Sequence, residues 1–192
     1  MNFPLYIQVI TELKKTTGKY EPGSYLEIDP TDAFNYATVC AMMRRPTYLF
    51  LPIQLPDGSH LPVIDIDDRD DNNHMGLPVI LDIIERKIDA MVVRSSMKSY
   101  WVILDRACKE IDQAIGLIPS YLEQVSDKRY TQCAKETQLF VLRAVPRNGF
   151  IPQIIYSNFQ NSDTLEWAKN FTEWWKRPEI KKLVDIQTLD AL

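Results

Sequence analysis

The chain of 192 residues is poor in the two side chains that most often mark metal or redox sites, with three cysteines and two histidines. Cys40, Cys108 and Cys133 are scattered and odd in number. That pattern excludes a zinc spacing and a disulfide framework, and reads as reduced thiols in a cytosolic core. His60 and His74 fall in turn or loop contexts without ligand spacing, and both are expected at the surface. No run approaches ~18 uninterrupted apolar residues, so no membrane-spanning helix is expected. The opening MNFPLYIQVITELKK lacks a basic start and a small-residue cleavage site, so no secretory signal is expected. Without one, the NFT at Asn170–Thr172 carries no weight as a glycosylation acceptor. Positive charge is not in surplus either, with 22 Lys and Arg against 26 Asp and Glu and a formal net charge of −4. That weighs against a protein that coats nucleic acid through a global basic field, but not against one that grips it locally. Internal repeats and low-complexity linkers are absent.

What is present is the composition of an ordinary folded domain, 45% hydrophobic and 25% charged. The length implies one domain over residues 1–192. Asp29 followed by Pro30 starts a helix that runs to Met43. TYLFLPIQLPDGSHLPVIDID reads as a β-hairpin turning at Asp57-Gly58. A helix follows from Pro78, with Ile80, Ile83, Ile84 and Ile88 on one face. AMVVRS and YWVIL make a second hairpin, the chain is helical from Asp105 to about Gly116, and a short helix covers Ser120–Val125. QLFVLRAV and PQIIYS are strands. SDTLEWAKNFTEWWKR is a helix capped by Asp163 with Glu166 in a capping box, ended or kinked at Pro178, and EIKKLVDI adds a turn or two. The order predicts an α+β fold, a mostly antiparallel sheet with helices packed on it.

The stretch LPVIDIDDRDDNNHMG drives an apolar run into five aspartates. In a strand, Asp65 and Asp67 point to one face. They would stand about 6–7 Å apart along it. Such a pair can share hard divalent cations, since Mg²⁺ takes one or two carboxylates plus phosphate oxygens. A solvated loop start is the equal alternative, and Asp68, Asp70 and Asp71 read as loop residues that add negative potential. Ser95, Ser96, Lys98 and Ser99 fall at the tip of the second hairpin, where hydroxyls, amides and cations can hold phosphates or merely form a polar turn. Asp127 precedes an expected strand, and Arg143 sits within an apolar one, where it needs a partner, a cleft or a polar face. Trp167, Phe171 and Trp174 recur at helical spacing, so this aromatic helix is expected in the core, with base stacking on an exposed Trp175 as the lesser alternative.

From Tyr48 to Pro152 the chain resembles the archaeo-eukaryotic primase superfamily, the small-subunit primases and the primase-polymerases of plasmids and phages. VIDID is similar to its Asp-x-Asp strand, RSSMKSYW to its second motif, and SDKRYTQCAKETQLFVLRAVP to its third. The resemblance implies an RRM-like palm core over about 48–156 with helical additions at both ends. It implies a nucleotidyltransferase in which Asp65, Asp67 and Asp127 bind Mg²⁺ or Mn²⁺, while Arg94, Ser95, Ser96, Lys98 and Arg143 grip phosphates. The partners would be a nucleoside triphosphate and DNA or RNA, with a replication protein as a further partner. The location would be the cytoplasm, of a bacterial or archaeal host if the protein is phage- or plasmid-encoded. One departure is marked: Trp101 stands where the family's second motif has a His. Either Lys98 and Arg94 substitute for it, or the nucleotide site is weakened or lost, leaving a non-catalytic relative that binds nucleic acid or a replication partner. A metal-dependent nuclease using the same carboxylates ranks behind both, because no Lys or Glu follows the strand Asp closely.

Overall fold

Asp29 and Pro30 set the first helix as expected: the Asp29 carboxylate accepts the Thr31 amide at 2.8 Å, and Pro30 occupies the first helical position. The computed structural model describes residues 5–8, 25–45, 47–67 and 76–189. Asp68, Asp70, Asp71 and His74 lie outside them. In chain order, β1 (Leu5–Gln8) and β2 (Tyr25–Ile28) precede α1 (Pro30–Met42), β3 (Leu49–Pro52), β4 (Val63–Asp67) and α2 (Gly76–Glu85). Then come β5 (Ala90–Arg94), β6 (Ser99–Leu104), α3 (Ile111–Gly116), α4 (Ser120–Glu123) and α5 (Lys128–Thr137). The chain closes with β7 (Val141–Arg143), β8 (Gln153–Ser157), α6 (Ser162–Trp175) and α7 (Pro178–Leu189).

The fold is α+β, but its strands form two antiparallel sheets rather than one, in the orders β2-β1-β3-β7 and β4-β6-β5-β8. The Asp57-Gly58 turn forms as expected. Gly58 takes the left-handed φ of +83°, the Leu55 amide donates to the Ser59 carbonyl, and Lys109 clasps the Asp57 carboxylate at 2.7 Å. The strands it joins then part, β3 into the first sheet and β4 into the second, so the expected hairpin survives only as its tip. In the second sheet β4, α2 and β5 make a crossover, and β6 pairs between the two parallel strands.

The strands β4, β5 and β6 of that second sheet are buried on both faces, whereas its edge strand β8 is largely exposed. Val63, Met91, Val93, Trp101 and Ile103 join a large core with α6, α7 and the first sheet. The alternating Ile64, Ile66, Val92, Val102 and Leu104 face α2 and Leu122 of α4. Burial on both sides explains why AMVV and PVI read as apolar runs without alternation. The aromatic helix α6 lies in the first core, with Trp167, Phe171, Trp174 and Trp175 all buried, as expected. Trp167 stacks on Phe171 at 5.3 Å, and the Trp174 indole N–H donates to the Ala144 carbonyl at 2.7 Å.

Several local expectations need correction. The cap of α6 is Asn161, whose side chain accepts the Asp163 amide at 2.8 Å. Asp105 adds a second clasp by accepting the Gln160 amide and the Thr164 hydroxyl. Residues after Asp105 stay irregular until Ile111, because Cys108 is drawn into a backbone ladder with His60. His60 is accordingly buried rather than on the surface, and burial lowers its pKa, which favours the neutral imidazole. Beyond Pro178 the chain forms a full helix of 12 residues. Among the described residues no helix is long and apolar enough to cross a membrane.

Candidate functional site

Alternation along β4 decides where its two aspartates go. Val63 takes the face that meets the large core, so Asp65 and Asp67 emerge on that same face, one and two steps beyond the packed interior. Register places Asp65 opposite Trp101 and Asp67 opposite Ser99 on β6. The Ser99 hydroxyl donates to the Asp67 carboxylate at 2.8 Å. This strand end forms the floor of a cleft of about 250 Å³. Phe50, Val141 and Arg143 of the first sheet make one wall, Tyr130 and Cys133 of α5 another, and Ser95 and Ser96 the rim. Arg147, four residues beyond Arg143, completes it.

The electrostatics of the cleft are polarised. Burial raises Asp65 from an ordinary carboxylate value near 3.8 to about 7; the charges of Asp67 and Asp127 add to the rise, and Arg143 and Arg147 oppose it. Arg143 is pulled the other way, down to about 10, by burial and by the neighbouring charge of Arg147, with Asp65 partly restoring it. It remains a cation at neutral pH. Its guanidinium lies over the Trp101 ring, 5.5 Å from the centroid, and donates to the carbonyls of Val145 and Ser95. Those bonds use two of its five N–H groups. Trp101 is therefore neither an obstruction nor a bystander. It is the cleft's buried base, and it fixes the plane of the arginine above it.

Asp127 differs from expectation in its setting. It precedes a helix, not a strand: its carboxylate caps α5 by accepting the Arg129 amide at 2.9 Å. Its own amide donates to the Asp65 carbonyl at 2.7 Å, which brings the third acid beside the pair. Asp127 is thus a backbone neighbour of Asp65, while its carboxylate is turned to its helix. Among the described residues no group of three His, Cys, Asp or Glu side chains is arranged to hold a metal ion. Asp65 and Asp67 are the two cleft carboxylates that could hold a cation, whose other ligands would have to come from water and phosphate.

The remaining expected residues divide. Ser95, Ser96 and Arg143 reach the cleft, whereas Arg94 and Lys98 are not among its lining residues. Arg94 braces its own hairpin, donating to the Met97 carbonyl at 3.2 Å with its guanidinium 5.8 Å from the Phe150 ring. The exposed Lys98 contributes its amide to the Ser96 hydroxyl at 3.2 Å. Arg147, Tyr130 and Cys133 were not singled out by the sequence. The signal for Tyr130 and Cys133 was available, since an Asp cap followed by KRYTQCAKET is a helix start. None of the three cysteines forms a disulfide. Compared with protein family models, curated proteins and solved structures, the chain matches none.

Proposed function

We propose that the cleft is the nucleotide site of a primase- or polymerase-type nucleotidyltransferase that works with Mg²⁺ or Mn²⁺ on a nucleoside triphosphate and a DNA or RNA strand. The observation that carries this reading is the pairing, in one cleft, of the Asp65–Asp67 carboxylates with the Arg143–Arg147 guanidiniums. Carboxylates alone suit many cations, and arginines alone suit many anions. Side by side they suit a metal-bound polyphosphate, which needs both. Asp65 and Asp67 would hold the cation, which supplies neutralisation of charge on the triphosphate when bound.

Arg143, pinned over Trp101, aims its remaining donors at phosphate oxygens with little orientational freedom left to lose. A guanidinium resting on a tryptophan thereby lies beside the place where the resemblance has a histidine. Ser96 and Ser99 add hydroxyls at the rim. Asp127 acts through position, holding the Asp65 backbone by its amide and the start of α5 by its carboxylate. The test is calorimetric titration of Mn²⁺ with a nucleoside triphosphate, followed by primer extension. Saturable binding and extension that both vanish in Asp65→Asn with Asp67→Asn support the reading, and extension that persists in that variant ends it. The commitment of the Asp127 carboxylate to its cap favours one second reading, a non-catalytic relative that binds nucleic acid or a replication partner. Nucleotide binding without any extension would select it.

A further inference from the structure

A second and larger groove, of about 750 Å³, opens beside the cleft and shares Phe50, Arg143 and Arg147 with it. Its outer end is formed by Arg44 and Arg45, where α1 stops. Arg44 ends the helix in the left-handed conformation at φ 54°, with its amide on the Ala41 carbonyl and the Arg45 amide on that of Cys40. Both side chains are exposed, past the last turn. The far wall is the 146–149 turn, held by Gln187 of α7, which accepts the Gly149 amide at 2.7 Å and donates to the Pro146 carbonyl at 3.1 Å. Of the described residues lining this groove, four are arginines and none is acidic. In a chain of net charge −4, that is a local reversal of sign. Tyr48 and Phe50 also line the groove.

We propose that this groove binds a single-stranded nucleic acid and leads it into the cleft. Arg44, Arg45 and Arg147 take successive phosphates, and the Tyr48 and Phe50 rings receive unpaired bases. A channel lined by both cations and rings has the chemistry of single-strand binding, since every base has a stacking face and every nucleotide a charge. A duplex hides its base faces, and an acidic peptide offers charge without rings to stack. The role assigned to the strand rests on the proposed function, but its binding rests on the groove alone.

The experiment is fluorescence anisotropy of a labelled oligothymidylate titrated with the full-length protein at several salt concentrations. The probe is challenged with a hairpin duplex and with polyglutamate. Arg44→Glu with Arg45→Glu should weaken binding roughly tenfold or more, and should shrink the salt slope by about 0.7 for each phosphate no longer neutralised. Arg44→Gln with Arg45→Gln, a gentler pair, should move both in the same direction, with circular dichroism confirming an unchanged fold. Unaltered affinity and slope in both variants would overturn the proposal, as would equal competition by duplex or polyglutamate. Mn²⁺–triphosphate binding, measured separately on the unmodified protein, reports on the cleft. Strand binding through the arginines without triphosphate binding leaves the groove standing and removes the cleft reading. Triphosphate binding with strand affinity indifferent to the arginines does the reverse.

Discussion

Replacing Asp65 by Asn should make the protein more stable, and only at the pH where the site would work. Asn keeps the shape of the protonated acid and removes the charge that the cleft resists. The folded-state pKa of about 7 lies well above the ordinary 3.8. Between those values the folded chain retains a proton that the unfolded chain has released. Stability from this group is therefore fully present below about pH 4, declines as pH rises through about 7, and is gone above that. A gap of about three units corresponds to a ceiling of roughly 4 kcal/mol. The cleft is open to water, so about 2–4 kcal/mol is the working range. At about 2–4 °C per kcal/mol for a chain of this size, the variant should melt roughly 5–15 °C above the natural protein at pH ~8, and the advantage should shrink towards pH ~4. Urea and thermal unfolding in the presence of a chelator, run as parallel pH series, measure it. Parallel curves for the two proteins across that range would refute the electrostatic account of the cleft. Adding Mn²⁺ at the higher pH should recover stability in the natural protein and leave the variant largely unmoved.

Asp127→Ala should cost about 1 kcal/mol of unfolding free energy through loss of the α5 cap, yet leave Mn²⁺–triphosphate binding nearly unchanged, because the bond to the Asp65 carbonyl is made by the backbone. Calorimetry that shows binding abolished would make the carboxylate a direct ligand instead. Trp174→Phe should cost at least about 1–3 kcal/mol in urea denaturation, since it strips the buried Ala144 carbonyl of its donor. Gly149→Ala should destabilise by roughly 1–3 kcal/mol. Gly149 has φ +74°, and an added Cβ would meet the Thr188 methyl at 2.6 Å. Combining it with Thr188→Ala should return the part due to overlap and not the part due to the backbone.

Where local chemistry decides, the sequence was readable. An Asp-Pro pair starts α1, Asp57-Gly58 turns, Pro78 lies two residues inside α2, and the β5–β6 hairpin falls where the apolar runs break. It was less readable where long-range pairing overrides local signals. β3 and β4 look like partners across their turn, but sheet membership depends on β7 and β6, far along the chain. His60 has the neighbours of a surface residue and is buried by a ladder with Cys108. α5 was hidden because its apolar face is thin, with Ala134 its one fully covered residue. The cleft was partly legible: Asp65, Asp67, Ser95, Ser96 and Arg143 arrive together from three segments. Arg147 and the outer groove were not, because a basic surface assembled from α1, β7 and the turn beyond it leaves no cluster in the linear order.

Arg143 is at once a phosphate candidate and a rivet. Rooted in the first sheet, it donates to the Ser95 carbonyl on the hairpin of the second and rests on that sheet's Trp101. A residue with two employers has little room to drift. Any exchange that weakens its hold on a ligand also loosens the seam between the sheets, so impaired chemistry and impaired folding would surface together in a mutational screen. The two can be told apart at Trp101, where trimming the ring removes the guanidinium's support and leaves its charge and its bonds to the Val145 and Ser95 carbonyls in place.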